Sequence, residues 1–201
     1  KEILWFYENH CITLNNKDTN KELANAKKIY DKLFLLLGLP VKYVKRSKED
    51  SFPGALVTYA YDYISDDKNI IQLGTIHNLG TSYSSFLDLK VTNKYNLPSL
   101  INIICFGVSE RLLYIVIKKH IVNVIYNNKS YEKLNLPSNI RPYDLLIYID
   151  SSSFVSNKNY INKIISSLKR KYNVYILSDV MVLDLLFKTG ARLYIRFFER
   201  D

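Results

Sequence analysis

The longest regular hydrophobic pattern in the chain lies between residues 18 and 40. Asp18, Thr19 and Asn20 carry side-chain oxygens that can cap a helix, and Gly38 and Pro40 are residues that end one. Between them, apolar side chains recur at spacings of three and four residues: Leu23, Ala26, Ile29, Tyr30, Leu33, Phe34 and Leu37. This spacing predicts an amphipathic helix of about five turns, with its lysine-bearing face in solvent.

The segments around this helix alternate between apolar and polar residues and are rich in Tyr, Val and Thr, which favours strands. A strand or a hairpin is predicted at residues 3–14, and strands are predicted at 55–64, 70–75, 86–92 and 100–106, with turns at 51–54 and 66–69. A second helix is predicted from Glu110 to His120, capped by Ser109, and residues 123–130 are predicted to form a surface loop. Strands joined by short turns predict an antiparallel sheet flanked by helices.

The pattern changes after Arg141-Pro142. An apolar strand at 144–150 is followed by a helix from about residue 157, a strand at 174–177, a helix at 179–187 and a strand at 191–198. Alternation of strands and helices predicts a mostly parallel sheet. The sequence therefore predicts an α+β protein with two domains, residues 1–140 and residues 141–201, the second being a small α/β domain.

The charge balance points to a polyanionic partner. The 201 residues carry a formal net charge of +9, with an isoelectric point near 9.3, and nucleic acid is the partner that excess positive charge most often indicates. A solvated basic surface would carry the same charge. The candidate RNA-binding residues lie in the second domain: Lys158, Lys163, Lys169, Arg170, Lys171, Arg192 and Arg196. Arg192 and Arg196 are expected to share one face of the last strand.

The remaining composition excludes several classes of protein. Cys11 and Cys105 have no metal-ligand spacing, so we predict buried thiols in a reducing compartment and no metal site. No run approaches the roughly 20 apolar residues of a membrane span, so no membrane partner is expected. Both ends have the character of strands, which predicts the interior of a longer polypeptide. A cytoplasmic and an organellar (mitochondrial or plastid) location both remain open.

The candidate chemistry lies in two short segments, Gln72–Gly80 and Phe106–Arg111. The first places an amide, a hydroxyl and an imidazole on one strand and loop, at Gln72, Thr75 and His77. The second places Arg111 where a helix begins, so its charge would add to the amide dipoles there and could hold a nucleotide. Together they suit a pocket for a small polar molecule beside a polyanion. For His77, a hydrogen-bonded structural role is the alternative.

Five segments resemble, in order, the class II aminoacyl-tRNA synthetases, and specifically prolyl-tRNA synthetases of the eukaryotic and archaeal type. Lys1–Trp5 with Glu8–His10 resembles the end of motif 2, and Phe106–Arg111 resembles motif 3. The other matching segments are Gly38–Val41, Phe52–Asp62 and Gln72–Gly80, and residues 136–149 are similar to the passage into the anticodon-binding domain.

The resemblance implies a role for each site residue. Arg111 would be the motif 3 arginine that contacts ATP, with Gln72 and Thr75 beside the nucleotide. The proline side of the pocket would be lined by Trp5, Thr75, His77 and Gly107. Arg111, Gln72 and His77 would support catalysis by positioning the substrates, since adenylate formation needs no protein nucleophile. For Trp5, packing in the core is the alternative.

The same resemblance implies ATP with Mg²⁺, tRNA as partner, and a homodimer or a larger assembly. Departures from the family pattern keep a second hypothesis open, because Ile76 and Phe106 replace a serine and a tryptophan, and Thr81–Tyr83 also differ. The first hypothesis is a proline–tRNA ligase. The second is an inactive, synthetase-derived architectural or RNA-binding subunit without a cofactor, as in an organellar ribosome (binding ribosomal RNA) or a polymerase accessory chain. A third is an unrelated basic α/β protein that binds nucleic acid.

Overall fold

The computed structural model of the chain describes residues 5–149, 151–177 and 182–197. For residues 5, 6, 151–156 and 182–185 it describes the backbone path only. The chain divides into two compact units, residues 1–116 and residues 117–201. Each unit has its own sheet.

The first unit is built on a five-stranded antiparallel sheet. The first unit contains the strands β1 (Trp5–Thr13), β2 (Val41–Lys45), β3 (Val57–Ile64), β4 (Ile70–Gly80), β5 (Lys90–Thr92), β6 (Pro98–Leu100) and β7 (Asn102–Ser109). It also contains the helices α1 (Asn16–Leu36) and α2 (Ser82–Phe86). Helix α3 (Arg111–His120) begins in the first unit and ends in the second. The order in the main sheet is β1-β7-β4-β3-β2, and every pairing is antiparallel. Strands β5 and β6 form a separate two-stranded ribbon.

Helix α1 covers one face of this sheet, as its hydrophobic pattern predicts. The ring of Tyr30 meets those of Tyr61 and Phe106 edge-on at 5.2 Å and 5.9 Å between centroids, and Phe34 stacks on Tyr61 at 5.0 Å. Gly74 makes room for this packing, because a Cβ there would lie 3.2 Å from Cε2 of Tyr30. Aromatic pairs of this kind add about 0.5–1.5 kcal/mol each beyond the area that they bury.

The start of α1 differs from the prediction. The capping residue is Asn15, whose Oδ1 accepts a hydrogen bond of 2.9 Å from the backbone N–H of Asp18. Asp18 itself lies in the first turn, where its negative charge interacts favourably with the positive end of the helix dipole and stabilises the helix.

One further segment of the first unit was predicted wrongly, and one strand was not predicted. Residues 86–92 are not one strand: α2 ends at Phe86, and only Lys90–Thr92 pairs, in the small ribbon. The hydroxyl of Ser84 is buried and donates a 2.7 Å hydrogen bond to the carbonyl of Ile101, which holds α2 against the sheet. The edge strand β2 was not predicted, because Val41–Lys45 carries two lysines among its five residues.

The second unit contains a parallel sheet, as predicted. Its elements are the strands β8 (Ile121–Tyr126), β9 (Lys129–Leu134), β10 (Leu145–Ile149), β11 (Val174–Leu177) and β12 (Leu193–Phe197), and the helices α4 (Ser151–Lys169) and α5 (Val182–Thr189). The sheet order is β11-β10-β12, with both pairings parallel. Leu145 and Ile147 of the central strand pack with Ile161 and Ile165 of α4, while Leu146 faces the opposite side.

Residues 123–130 form a hairpin, β8–β9, and not the predicted surface loop. Its turn residues Asn127 and Asn128 have φ angles of 47° and 59°, and two consecutive positive φ angles are the geometry of a type I′ hairpin turn. The hairpin belongs to the second unit, where Tyr131 stacks on Phe187 with 5.1 Å between ring centroids. The chain therefore divides between residues 116 and 117, and not at the predicted residue 140.

The predicted fold class is confirmed: an antiparallel sheet flanked by helices, followed by a smaller α/β unit. Within the described ranges, no helix combines the length and the apolar character that crossing a membrane requires.

Candidate active-site cavity

The face of the first sheet opposite α1 carries a cavity of about 550 Å³. Strand pairing places Thr58, His77, Cys105 and His10 side by side across β3, β4, β7 and β1. In the next row, Thr75, Gly107 and Glu8 are paired in the same way. The loop before β3 and helix α2 complete the wall, which is lined by Glu8, His10, Asp50, Ser51, Phe52, Pro53, Thr58, Gln72, Thr75, His77, Leu79, Tyr83, Leu87, Ile103, Cys105 and Gly107.

His77 is fixed in this cavity by a hydrogen bond of 3.0 Å between its Nδ1 and Oγ1 of Thr58. The same Oγ1 accepts a hydrogen bond from the backbone N–H of Phe52 at 3.0 Å, so its own proton is available for Nδ1. This arrangement favours the tautomer with the proton on Nε2. Burial lowers the pKa of His77, and the nearby Glu8 only partly opposes this effect, so the ring is neutral at neutral pH. His77 is therefore a hydrogen-bonded histidine, as the alternative interpretation predicted, and it also lines the cavity.

Thr75 is a cavity-lining residue whose buried polar group lacks a partner. Its side-chain oxygen is inaccessible to water and has no hydrogen-bond partner within the described part of the chain. It lines the cavity, beside Gly107 on the neighbouring strand. Since glycine has no side chain, the floor between Thr75 and Glu8 is open. A buried hydroxyl without a partner is costly, and a bound ligand would satisfy it.

Gln72 lines the cavity, and its carbonyl oxygen already accepts a hydrogen bond from another side chain. Arg46 donates hydrogen bonds to Oε1 of Gln72 at 3.1 Å and to Oδ1 of Asp62 at 2.6 Å. Asp62 is buried, so its carboxylate depends on this pair for compensation of its charge. The pair fixes the carbonyl oxygen of Gln72 and leaves its amide group for a ligand. Sequence reasoning missed Arg46, which lies in a polar loop 26 residues before Gln72.

The cavity wall is apolar on one side and acidic on the other. Phe52, Leu79 and Ile103 are among its apolar members, while Glu8 and Asp50 supply carboxylates. Among the residues that the structure describes, no lysine or arginine lines it. Such a cavity suits a small apolar ligand with a positive charge better than it suits a polyphosphate.

The structure brings together Gln72, Thr75, His77 and Gly107, but it does not bring Arg111 into the wall. Arg111 is exposed at the first position of α3, two residues after β7 ends. The expectation that it would share the cavity is therefore corrected, because β7 ends before the chain turns into α3. Trp5 begins β1, opposite Ser109, and its side chain lies outside the described residues.

Two of the departures that motivated the architectural hypothesis, Ile76 and Phe106, lie on the other side of the sheet, whereas Tyr83 of a third departure lines the cavity. Ile76 alternates with Thr75 and His77 along β4, so it faces α1 and is fully buried in the core. Phe106 alternates with Cys105 and Gly107 in the same way and packs on Tyr30. Neither residue lines the cavity. Ile76 is therefore a core substitution and does not replace a polar group in the cavity.

One cluster was not predicted from the sequence. Glu8, His10 and Cys105 place a carboxylate oxygen, an imidazole nitrogen and a sulfur within 4.8 Å of one another. The thiol of Cys105 donates a hydrogen bond to Oε1 of Glu8 at 3.4 Å, and Nε2 of His10 lies 3.6 Å from the same oxygen. Burial, followed by the influence of Glu8, raises the pKa of the Cys105 thiol to about 12.

In the second unit, the predicted basic residues lie on the surface. Lys163, Lys169, Arg170 and Lys171 are exposed on or just after α4, as are Lys158 and Arg192. Arg196 lies over the ring of Tyr148 at 5.4 Å. Arg192 precedes β12, which begins at Leu193, so the alternation of a strand does not place it on the same face as Arg196.

The fold agrees with comparisons to known proteins. Residues 5–120 match the family described as the tRNA synthetase class II core domain (G, H, P, S and T). The chain belongs to this family. Its curated relatives include a proline–tRNA ligase from Methanosphaera stadtmanae, 30% identical over 73% of this chain and 30% of the relative. Another, from Methanococcus vannielii, is 29% identical over 88% of this chain and 37% of the relative.

Solved structures of prolyl-tRNA synthetases have a similar fold. The chain is similar to Giardia lamblia prolyl-tRNA synthetase in complex with prolyl-adenylate, with a TM-score of 0.74 and 26% identity over 94% of this chain and 40% of that one. The fold is also that of prolyl-tRNA synthetase from Cryptosporidium parvum complexed with L-proline and AMP, with a TM-score of 0.70 at 17% identity. The chain spans about a third of the length of the curated relatives it matches.

Proposed function

We propose that this chain is the part of a proline–tRNA ligase that holds proline during its ATP-dependent activation. The observation that carries this proposal is the Thr75 hydroxyl, buried in the cavity wall without a partner among the described residues. It lies beside the open floor at Gly107, on the cavity face of the sheet. The departures at Ile76 and Phe106 lie on the core face, so they do not argue against an active enzyme.

Proline suits the chemistry of this cavity. Its ring is apolar and can pack against side chains such as Phe52 and Ile103, while its secondary ammonium group is a cation. The carboxylates of Glu8 and Asp50 provide the negative charge that such a cation needs. The proton on Nε2 of His77 and the hydroxyl of Thr75 can then donate hydrogen bonds to the carboxylate of the amino acid.

ATP, accompanied by Mg²⁺, is the second substrate in this proposal. The cavity wall offers no cation to a polyphosphate among the described residues. Arg111 lies just beyond Gly107 along the chain, at the start of a helix where backbone N–H groups are unpaired. We therefore assign the amino acid to the cavity and the phosphates to the adjoining surface at Arg111. The chemistry follows from alignment of the proline carboxylate with the α-phosphate, which the protein achieves by positioning.

The second unit is proposed to contact tRNA. The residues that would contact phosphates are the exposed basic residues of α4 and the turn after it, with Arg192 and Arg196. These side chains would neutralise phosphates without reading the bases.

Proline-dependent exchange of pyrophosphate into ATP, measured with the protein that carries this chain, tests the proposal. Thr75→Val removes the hydroxyl and keeps the shape of the side chain. We expect kcat/KM for proline to fall about tenfold, since a hydrogen bond of about 1.4 kcal/mol is lost. Stability should not fall, because the hydroxyl has no partner within the described fold. Thr92→Val, at an exposed position of β5, is the matched control and should leave exchange unchanged.

Arg111→Ala tests the assignment of the phosphates. The loss of one preorganised cation should cost about 2–4 kcal/mol of transition-state stabilisation, or about 30- to 1,000-fold in kcat/KM. Lys119→Ala, an exposed cation on the same helix, should have little effect. Equal activity of the two variants would exclude Arg111 from the reaction. Absence of proline-dependent exchange by the wild-type protein would overturn the proposed function itself.

A further inference from the structure

We propose that Glu8, His10 and Cys105 form a binding site for a zinc-class divalent metal ion at the wall of the cavity. The three side chains supply one oxygen, one nitrogen and one sulfur ligand, a combination that Zn²⁺ accepts. They come from two neighbouring strands, with His10 directly opposite Cys105 and Glu8 two residues before His10 on the same face of β1. The pairing of β1 with β7 therefore preorganises the cluster.

The distances within the cluster match the edges of a zinc coordination tetrahedron. With Zn–S near 2.3 Å and Zn–N and Zn–O near 2.1 Å, neighbouring ligand atoms lie roughly 3.4–3.6 Å apart. Oε1 of Glu8 lies 3.4 Å from the sulfur of Cys105 and 3.6 Å from Nε2 of His10. The third edge is at most 4.8 Å, and rotation of the His10 side chain, which is 55% exposed, can shorten it.

The fourth ligand position is open to the cavity. All three side chains line the cavity wall, and three protein ligands with one open position are typical of zinc sites that bind a water or another small ligand. When the metal binds, the hydrogen bond from the thiol of Cys105 to Glu8 is replaced by a metal–sulfur bond. The thiol proton is released to solvent, and no oxidant or reductant is needed.

His77 is not a ligand of the ion in this proposal. Its Nδ1 is occupied by the hydroxyl of Thr58, and its ring nitrogens are not part of the cluster of three. The site shares Glu8 with the proposed proline pocket, so the ion and the proline ammonium group compete for one carboxylate. Metal binding itself needs neither ATP nor proline, and it is therefore measured without them.

Titration of the metal-free protein with Zn²⁺ and with Co²⁺, in the absence of both substrates, tests the site. We expect one equivalent of Zn²⁺ to bind. Bound Co²⁺ should show a thiolate-to-cobalt charge-transfer band in the near ultraviolet, together with the intense visible bands of tetrahedral Co²⁺. Each of the variants Glu8→Gln, His10→Ala and Cys105→Ser should weaken Zn²⁺ binding by at least about 100-fold, more than the loss of an outer-sphere partner usually costs.

Cys11→Ser is the matched control, because Cys11 lies next to His10 on β1 but pairs with Ile104, and it does not line the cavity. This variant should keep the affinity for Zn²⁺ and the charge-transfer band. Glu8 and His10 are exposed, so their variants are expected to fold, and circular dichroism checks this. Failure of the wild-type protein to bind Zn²⁺ or Co²⁺ would overturn the proposal, as would equal effects of Cys105→Ser and Cys11→Ser. Loss of proline-dependent exchange would leave these titrations unaffected, so the two proposals fail separately.

Discussion

At the scale of single residues, the face of a strand decides what a substitution means. Thr75, Ile76 and His77 are consecutive, yet Thr75 and His77 line the cavity while Ile76 is buried against α1. Alternation along a strand dictates this arrangement. A departure from the family pattern at Ile76 therefore changes the core and leaves the chemistry of the cavity intact. The same argument applies to Phe106, which lies between Cys105 and Gly107.

His77 gives a prediction about pH. Its pKa in the folded protein is lowered, mainly by burial, whereas in the unfolded chain it is near 6.5. As the pH falls below about 6.5, the unfolded chain therefore binds a proton before the folded protein does. The free energy of unfolding should decrease as the pH falls from 6.5 towards the folded pKa, by at most about 1.4 kcal/mol per pH unit.

Urea unfolding at pH 7.5 and pH 5.5, with EDTA present to keep metal ions away from His10 and Cys105, measures this effect. His77→Gln removes the titrating group and should show a smaller loss of stability between the two pH values. An equal loss in both proteins would show that His77 does not carry the pH dependence.

At the scale of secondary structure elements, the sequence was informative where one pattern extended over many residues. Helix α1 and the alternation of strands and helices after Arg141 could be predicted, because apolar residues recur at regular spacing on the buried face of each element. The β8–β9 hairpin could not be predicted, because its turn is Asn127-Asn128 and lacks the glycine that usually marks a type I′ turn.

The candidate site was predicted in part for a related reason. Gln72, Thr75 and His77 lie on one strand, so their proximity follows from local sequence. Glu8 and Cys105 are 97 residues apart, and they meet only because β1 pairs with β7. Strand order is set by packing of the whole sheet, and the local pattern does not specify it. The prediction that Arg111 lines the cavity was wrong, because the chain turns into α3 after Ser109.

The first turn of α1 gives the prediction at this scale. Asn15→Ala removes the side-chain acceptor for the N–H of Asp18 and should lower the free energy of unfolding by about 1 kcal/mol. Asn20→Ala, at an exposed position inside the same helix, is the matched control. Alanine favours a helix interior more than asparagine does, so this control should not lose stability. Chemical denaturation measures the free energy of unfolding of both variants. Equal losses of stability would exclude the capping role of Asn15.

At the scale of the whole molecule, two units share one chain but differ in chemistry. The first unit holds a cavity whose described wall carries carboxylates and no lysine or arginine. The second unit displays exposed basic residues at the end of α4. The net charge of +9 is therefore not evidence for phosphate binding in the cavity. These charges favour a small cationic ligand in the cavity of the first unit and a polyanion on the basic surface of the second.

The basic cluster at the end of α4 gives the last prediction. Contacts between cations and phosphates release counterions, so the logarithm of the affinity for tRNA should fall linearly with the logarithm of the salt concentration, by about 0.7–0.9 per contact. Replacing Lys169, Arg170 and Lys171 together by glutamine should therefore flatten this slope by about two to three units if all three contact phosphates. The measurement is the dissociation constant for tRNA between about 50 and 200 mM salt.

The matched control replaces three exposed lysines of α1, Lys21, Lys28 and Lys32, by glutamine, which changes the net charge by the same amount. An effect of net charge alone would flatten the slope equally in both variants, because the total charge removed is identical. Direct phosphate contacts would flatten it only in the α4 variant, because the slope counts the counterions displaced at the contact surface. Equal slopes in the wild-type protein and the α4 variant would show that Lys169, Arg170 and Lys171 form a solvated surface that does not contact RNA.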